Sequence, residues 1–496
     1  MGLYLNQIRL SDILHRIMAT TKKNRKRSSR NTRKKASGAD SGIQSGDIRT
    51  FPTATKALFN RPNIERLRPS RIPADVFKLK RMEELLNALD NPHQNLRAVH
   101  VAGTVGKGST VAMLDSMLRG CGWATGVYTS PHLIDIRERI TINGDMIGRT
   151  EFTSLTQHVV EAAEKVAPEA SFFELMTAMA FLHFADQAVD LSIIETGLGG
   201  RLDATNLITP AATLITKIDL DHQHLLGDSL ADIAREKAGI FKPGVPALSV
   251  KQEPEAEATL REMAEQIGTE LRVVGKEIDF SSRFCVTDDL GAHMRICLRG
   301  EQNQYMHLPV PLAGAHQADN CGLALSALDL LDSGSTEFDE AAVFRGLATT
   351  KNPGRMDMAW QQPRVIVDGA HNPIAMQALM REIGSHIPFD SMICIFGCNA
   401  DKDVDANLEM LSLGSDKIIF TKASNQPRAV DPQELCRRFE TLKGRTCQTT
   451  ENVQEALQIA THAASRDDLI CVTGSFYLVG ETLGFLQERR TARTAT

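Results

Sequence analysis

The segment Gly103-Thr-Val-Gly-Lys-Gly-Ser-Thr110 leaves few folds open to this chain. It follows a short apolar strand candidate, Ala98-Val-His-Val-Ala102, and precedes a helix with apolar positions at 113, 114, 117 and 118. A strand that turns through glycines directly into a helix is the repeating unit of a parallel α/β sheet. The amides of such a turn, with the helix N-terminus, form a cradle for an anion. Gly103, Thr104, Val105, Gly106, Lys107, Gly108, Ser109 and Thr110 are therefore candidate ATP contacts. Lys107 is placed to reach the terminal phosphates, and Ser109 or Thr110 to approach a magnesium ion. The general P-loop has four residues between its glycines and Lys next to Ser/Thr. Here two residues separate Gly103 from Gly106, and Gly108 separates Lys107 from Ser109. The bland alternative is a plain glycine-rich turn; the lysine and the flanking elements favour the cradle.

Helix and strand candidates alternate beyond the turn. Apolar positions at 77, 79, 82, 85, 86 and 89 read as a helix stopped by Asp90-Asn-Pro92. Strands are expected over 123–129, 189–195 and 211–217, and helices over 173–187 and 314–331. Residues 270–310 read as short strands. The pattern restarts near Asn352-Pro353-Gly354, with strands at 364–367, 393–396, 417–421 and 469–472. The expected fold is α/β: a mostly parallel sheet ATPase domain with a P-loop over 51–350, then a smaller Rossmann-like α/β domain over 351–488, flanked by tails at 1–50 and 489–496.

Charge is distributed unevenly. Residues 1–50 hold twelve Lys/Arg against three Asp/Glu, which leaves the rest of the chain at −14 of the net −5. The block from Lys22 to Lys35 lacks apolar residues to bury and aromatic residues to stack on bases, so it reads as a solvated, disordered tail, with nucleic acid an unlikely partner. No apolar run approaches the roughly 18 residues of a membrane helix, and residues 1–20 lack a secretory-signal pattern. Nine cysteines without a CxxC pair read as free or buried thiols of a reducing, cytoplasmic compartment.

Other residues stand where strands end. Glu195, after an apolar strand and before Thr196-Gly-Leu-Gly-Gly200, lies at the carboxyl edge of the sheet, where ligands bind, and offers hard oxygen to Mg²⁺. Ser229-Leu-Ala-Asp232 can cap a helix running to Gly239. Lys237 in its last turn suits the helix dipole.

The loop spacing resembles that of the Mur-ligase superfamily, and Gly108 resembles its folylpolyglutamate synthase / dihydrofolate synthase branch. That branch usually has Asn where this chain has Val105 and Val where it has Thr196. The resemblance continues in order along almost the whole chain after residue 75: Tyr128-Thr-Ser-Pro-His-Leu133, Glu138–Gly144, Ser171-Phe-Phe-Glu174, Ile193–Asn206, Leu220–Asp228, Gly314–Asn320, Pro353-Gly-Arg355, Asp368–Pro373 and Gly474–Gly480. It implies that Ser130, Glu195, His222 and a carbamylated Lys237 hold two magnesium ions. It implies that Ser171, Phe172, Phe173, Glu174, Leu202, Asp203 and Ala204 line a folate or pteroate pocket. Asn320, Arg355 and Asp368 become further ATP contacts. Lys107, Lys237 and His371 become the catalytic residues, with His371 near the phosphates or the incoming glutamate. The implied reaction joins L-glutamate to tetrahydrofolate, and also to dihydropteroate, at the expense of ATP. Two cations across the phosphates and a site closed to water would serve an acyl phosphate, with ligands expected between the domains and the enzyme a monomer. A cell-wall Mur ligase would need a nucleotide-sugar domain before Gly103, where only about 50 globular residues stand. A nucleic-acid NTPase would not explain the motifs after residue 350, and a non-catalytic relative would not need the retained Lys107, Glu195 and Asp368.

Overall fold

A computed structural model describes residues 43–63, 79–331, 338–424 and 426–494. The basic block from Lys22 to Lys35, Phe77 of the first helix stripe and the loop 332–337 lie outside them. Two compact units divide the described chain, one over Ile43–Pro353 together with Glu382–Ile387, the other opening at Gly354 rather than at 351 and running over Gly354–Arg381 and from Pro388 onward.

The first unit is built on an eight-stranded sheet. Its strands are β1 (Ala98–Ala102), β2 (Thr125–Tyr128), β3 (Ile140–Ile142), β4 (Asp145–Met146), β5 (Leu191–Glu195), β6 (Ala212–Ile215), β7 (Ala247–Ser249) and β8 (Leu271–Val273). They lie in the order β4-β3-β2-β5-β1-β6-β7-β8. From β2 to β8 the pairing is parallel, and β3 and β4 form an antiparallel edge. Asn143 and Gly144, both at positive φ, give the two-residue turn that suits a hairpin. All five residues of β1 are buried, as expected of a central strand covered on both faces. Its side chains alternate between layers. Ala98 packs with Tyr128, Ile194 and the helices Arg149–Val166 and Phe172–Asp186; Val99 and Val101 pack with Ile193, Leu214 and the helices Lys107–Gly120 and Ala315–Leu331. The stretch expected to hold short strands contains a separate antiparallel sheet of β9 (Asp279–Thr287), β10 (Gly291–Arg299) and β11 (Gln304–Pro309); β9 and β10 are nine residues each, longer than the sequence pattern indicates.

The second unit carries a six-stranded sheet of β12 (Asp357–Gln361), β13 (Arg364–Val367), β14 (Met392–Phe396), β15 (Lys417–Phe420), β16 (Gln448–Thr449) and β17 (Leu469–Thr473). The order is β12-β13-β17-β14-β15-β16, parallel except for β12 at one edge. The α/β class expected for both halves is what the sheets display.

Three expectations need correction. Residues 43–50 are not a tail: Ile48 is fully buried, Ser45 hydrogen-bonds Glu164 through both its amide and its hydroxyl, and Thr50 caps the helix Phe51–Phe59. At the other end the helix Phe476–Thr494 runs through what was expected to be a tail from 489. Finally, Cys436 and Cys447 form a disulfide, while the other seven cysteines are free. The helix Pro432–Lys443 ends at Gly444 in the left-handed region, and the chain turns back there. This brings two cysteines eleven residues apart to a Cα separation of 5.9 Å, well inside disulfide range.

Candidate active site

The glycine turn leaves the carboxyl end of β1 and enters the helix Lys107–Gly120 at Gly106. Gly103 has φ +153°, and a Cβ there would overlap the Thr216 hydroxyl; Gly106 has φ +97°, and a Cβ there would overlap the Asn320 amide. Glycine is thus required at both positions by backbone conformation and by close approach. The turn is braced from behind by the strand next door: Thr104 N and Val105 N both donate to the Lys217 carbonyl, at 2.9 and 3.1 Å. Thr104 also exchanges hydrogen bonds with the Asp219 backbone. Gly108 and Ser109 fall in the first helical turn, where amides without an intrahelical partner point out of the helix end, while Thr110 N already donates to the Gly106 carbonyl at 2.9 Å.

Two lysines and a carboxylate meet at this turn. Lys107 Nζ donates to the Gly103 carbonyl at 3.0 Å and lies 4.0 Å from Glu195 Oε1. Lys237 Nζ donates to the same carbonyl at 2.9 Å. Glu195 ends β5, is buried, and accepts the Ser130 amide at 3.3 Å. The helix Leu230–Ala238 that delivers Lys237 opens with the expected capping box between Ser229 and Asp232. Burial, and then the neighbouring Lys107 charge, push the Lys237 ammonium down to about 7, with Asp221 and Asp203 pulling the other way.

The residues fit a first divalent cation. Ser130 and Glu195 supply hard oxygen, and the buried Thr110 hydroxyl in the same turn has no hydrogen-bond partner. The second set fits only conditionally. Lys237 is a donor here and offers a cation a ligand only as its carbamate, and His222, in the left-handed region, has its amide and ring against Asp221. Among the described residues no trio of His, Cys, Asp or Glu containing Glu195 and His222 converges within ligand distance.

The pocket residues divide. Ser171 and Glu174 are reciprocal partners in a capping box, and Glu174 is further held by the Arg81 guanidinium at 2.9 Å. Phe172 is fully buried, stacked on Phe59 at 5.4 Å with the Arg139 guanidinium over its ring. These three side chains are cap and core, not pocket wall. Phe173 alone of the four is partly exposed, beside Tyr128 and against Gly197. One residue of helix phase separates the two phenylalanines. Leu202 is partly exposed and Ala204 is buried. The Asp203 carboxylate is buried and turned into its own loop, accepting from Leu198 N, Thr205 N and Thr205 Oγ1.

Asn320 lies at the turn, with Nδ2 on Gln317. A residue that sequence reasoning missed is Asn352, whose Nδ2 donates to Ser109 Oγ at 2.8 Å; its only signal was its place before Pro353-Gly354. In the second unit the Asp368 carboxylate accepts the Met356 and Ala370 amides, which ties the Gly354–Asp357 stretch to the end of β13. Arg355 lies 4.2 Å over the Phe476 ring, His371 packs on the same ring, and His371 Nδ1 bonds the Gly369 carbonyl. Gly474–Gly480 therefore does more than fill space, since Phe476 seats both residues.

Residues 101–328 match the Mur ligase middle domain, and residues 354–476 match the Mur ligase glutamate ligase domain. With the phosphate-type turn and its lysines, they define an ATP-dependent ligase of the Mur type. The Bacillus subtilis dihydrofolate synthase/folylpolyglutamate synthase is 32% identical over 409 residues, spanning 81% of this chain and 93% of its own. Among solved structures, Mycobacterium tuberculosis folylpolyglutamate synthase complexed with ADP superposes with a TM-score of 0.78 at 29% identity, covering 88% of this chain and 98% of that one. E. coli FolC in complex with DHPP and ADP gives 0.76 at 28% identity, covering 90% and 100%. The chain belongs to the dihydrofolate synthase/folylpolyglutamate synthase family.

Proposed function

We propose that this ligase joins the amino group of L-glutamate to the carboxylate of tetrahydrofolate and of dihydropteroate, through an acyl phosphate made from ATP. The observation that carries the reading is the meeting of Lys107 and Lys237 at the Gly103 carbonyl beside Glu195. Two cationic side chains and a buried carboxylate there stand beside the first-turn amides of the helix Lys107–Gly120.

The pterin carboxylate attacks the γ-phosphorus, and ADP leaves. The glutamate amine, as its free base, then attacks the acyl carbon; the C–O bond to phosphate breaks, phosphate leaves with the bonding pair, and the new amide nitrogen gives up a proton. The amides of Gly106–Ser109 and the Lys107 ammonium hold the transferring phosphoryl group and its growing charge. Asn320, Arg355 and Asp368 are further ATP contacts, and His371 serves the phosphates or the incoming amine. Mg²⁺ held by Ser130, Glu195 and Thr110 would neutralise phosphate oxygens, and a second ion by His222 and carbamylated Lys237 would do the same. Phe173, with the loop through Leu202 and Ala204, serves the flat pterin ring. We read the enzyme as a cytoplasmic monomer, although the Cys436–Cys447 disulfide is unusual in a reducing compartment; no helix among the described residues is long and apolar enough to cross a membrane.

Glutamate-dependent phosphate release from ATP and Mg²⁺ tests this, with dihydropteroate, tetrahydrofolate or no pterin. Release with both pterins is expected, and Lys107→Ala should lose it. Release with tetrahydrofolate alone narrows the function to chain extension. Release independent of pterin from a folded preparation refutes the reading.

A further inference from the structure

His100 lies in the middle of β1, fully buried on the face of the sheet opposite to Val99 and Val101. Valine or isoleucine would fill such a position at lower cost, since an imidazole brings two polar nitrogens into the core. One of them is satisfied: Nε2 lies 2.8 Å from Thr205 Oγ1. The other, Nδ1, is buried without a hydrogen-bond partner. The ring is therefore present for what Nε2 does.

The proton directions follow from the next link. Thr205 Oγ1 is 2.5 Å from Asp203 Oδ1, and the same carboxylate also accepts Thr205 N at 3.1 Å and Leu198 N at 2.9 Å. A carboxylate ringed by donors takes the threonine proton. The threonine oxygen is then left to accept, so His100 donates through Nε2–H. Burial, and next the Lys242 charge, hold the imidazole neutral, down to about 3. The ring thus keeps one N–H at any working pH.

This chain ends on the loop Gly197–Asn206. At one end of the loop, Gly197 lies so close to the Phe173 ring that a Cβ would collide with it. At the other, Arg201 N donates to the Glu236 carbonyl at 2.7 Å, and Asn206 Nδ2 bonds the Arg201 and Gly239 carbonyls. One loop therefore touches the aromatic wall on one side and the helix end that carries Lys237 on the other.

We propose that His100 is a positioning residue for the pterin side of the site, acting through Thr205 and Asp203 to set the loop Gly197–Asn206 against Phe173. On this account Asp203 does not present its carboxylate to the substrate; it is the loop's internal anchor. The inference rests on the folate reading given above and adds a residue that touches neither substrate nor nucleotide.

The position of the donor gives the test. Glutamine places an amide N–H near the site of Nε2, asparagine near that of Nδ1, and leucine has no donor. The wild-type protein is first shown to release phosphate in response to dihydropteroate; failure at this step defeats the functional reading itself. His100→Asn and His100→Leu should then raise the pterin KM about tenfold with the ATP KM within about twofold, while His100→Gln stays close to wild type. Thr205→Val should behave like the leucine variant, and Thr205→Ser like wild type. Thermal unfolding of each variant checks that it is folded. An unchanged pterin KM in folded His100→Asn and Thr205→Val, a parallel rise for ATP, or glutamine no better than asparagine each overturns the proposal. So does unfolding of both His100→Asn and Thr205→Val, because that would assign the chain to global stability.

Discussion

Lys107 and Lys237, 130 residues apart in sequence, donate to the same carbonyl oxygen, that of Gly103. The Lys107 ammonium makes Lys237 harder to keep charged. Anionic oxygens bound beside the two side chains would offset that repulsion. Lys107→Ala should lower pterin-dependent phosphate release by about 100-fold or more, measured at saturating ATP and glutamate. It should also raise the Lys237 pKa, because a repelling neighbour is gone.

Lys237 is the residue on which a pH argument about reactivity turns. Its pKa of about 7 leaves much of it as free amine at pH 8, where an ordinary lysine near 10.4 is almost wholly protonated. A neutral amine can take up CO₂. Turnover is expected to fall in CO₂-depleted buffer at pH 8 and to return on adding bicarbonate. Equal rates with and without bicarbonate would remove the carbamate from the mechanism.

His100 gives a second pH dependence, with the sign fixed by linkage. Its folded pKa of about 3 lies below the usual value near 6.5. Above about pH 6.5 both states hold it neutral. As pH falls from there toward 3, the unfolded chain takes up a proton that the folded chain refuses, so stability is lost at about 1.4 kcal/mol per pH unit. Between pH 7.5 and 5 wild type should lose about 2 kcal/mol more than His100→Gln, read from urea midpoints. Matching pH profiles would mean that the ring is not buried as described.

The disulfide makes a prediction about the second unit alone. Closing a loop of this length stabilises by about 2–3 kcal/mol in the chain-entropy account. A dithiol reductant should therefore lower the unfolding midpoint of wild type and leave Cys447→Ser unmoved. Mass mapping of untreated protein should find Cys436 joined to Cys447 and seven free thiols. The pair also marks where the cysteine reading of the sequence failed.

Gly103→Ala should be the most damaging single-methyl change in the turn. It adds a side chain at φ +153° and drives it into Thr216. Loss of nucleotide binding with a lowered Tm is the expected result; wild-type ATP affinity would contradict the turn geometry.

What the sequence made legible was local. β1, the glycine turn and the helix after it follow from an apolar run interrupted only by His100, glycine spacing and a 3.6-residue stripe, and Glu195 follows from its place at a strand end. What stayed hidden was non-local or a matter of phase. Nothing in the letters pairs Asn352 with Ser109, or Arg81 with Glu174. Backbone groups such as the Lys217 carbonyl carry no side-chain signal at all. Phe172 and Phe173 are the same residue type one step apart, and only the packed helix tells which faces the core. His100 looked like one polar letter inside a strand until Thr205 was beside it.

The brace behind the glycine turn has a consequence for the order in which this protein can become active during synthesis. Thr104 and Val105 are pinned by the carbonyl of Lys217, just past β6, and β1 itself pairs with β5 and β6 on either side. The nascent chain emits the phosphate loop more than a hundred residues before it emits the strand that holds the loop in shape. A ribosome-bound fragment ending before residue 217 carries every letter of the motif and lacks its backing. Affinity for nucleotide is therefore not expected before β6 docks beside β1.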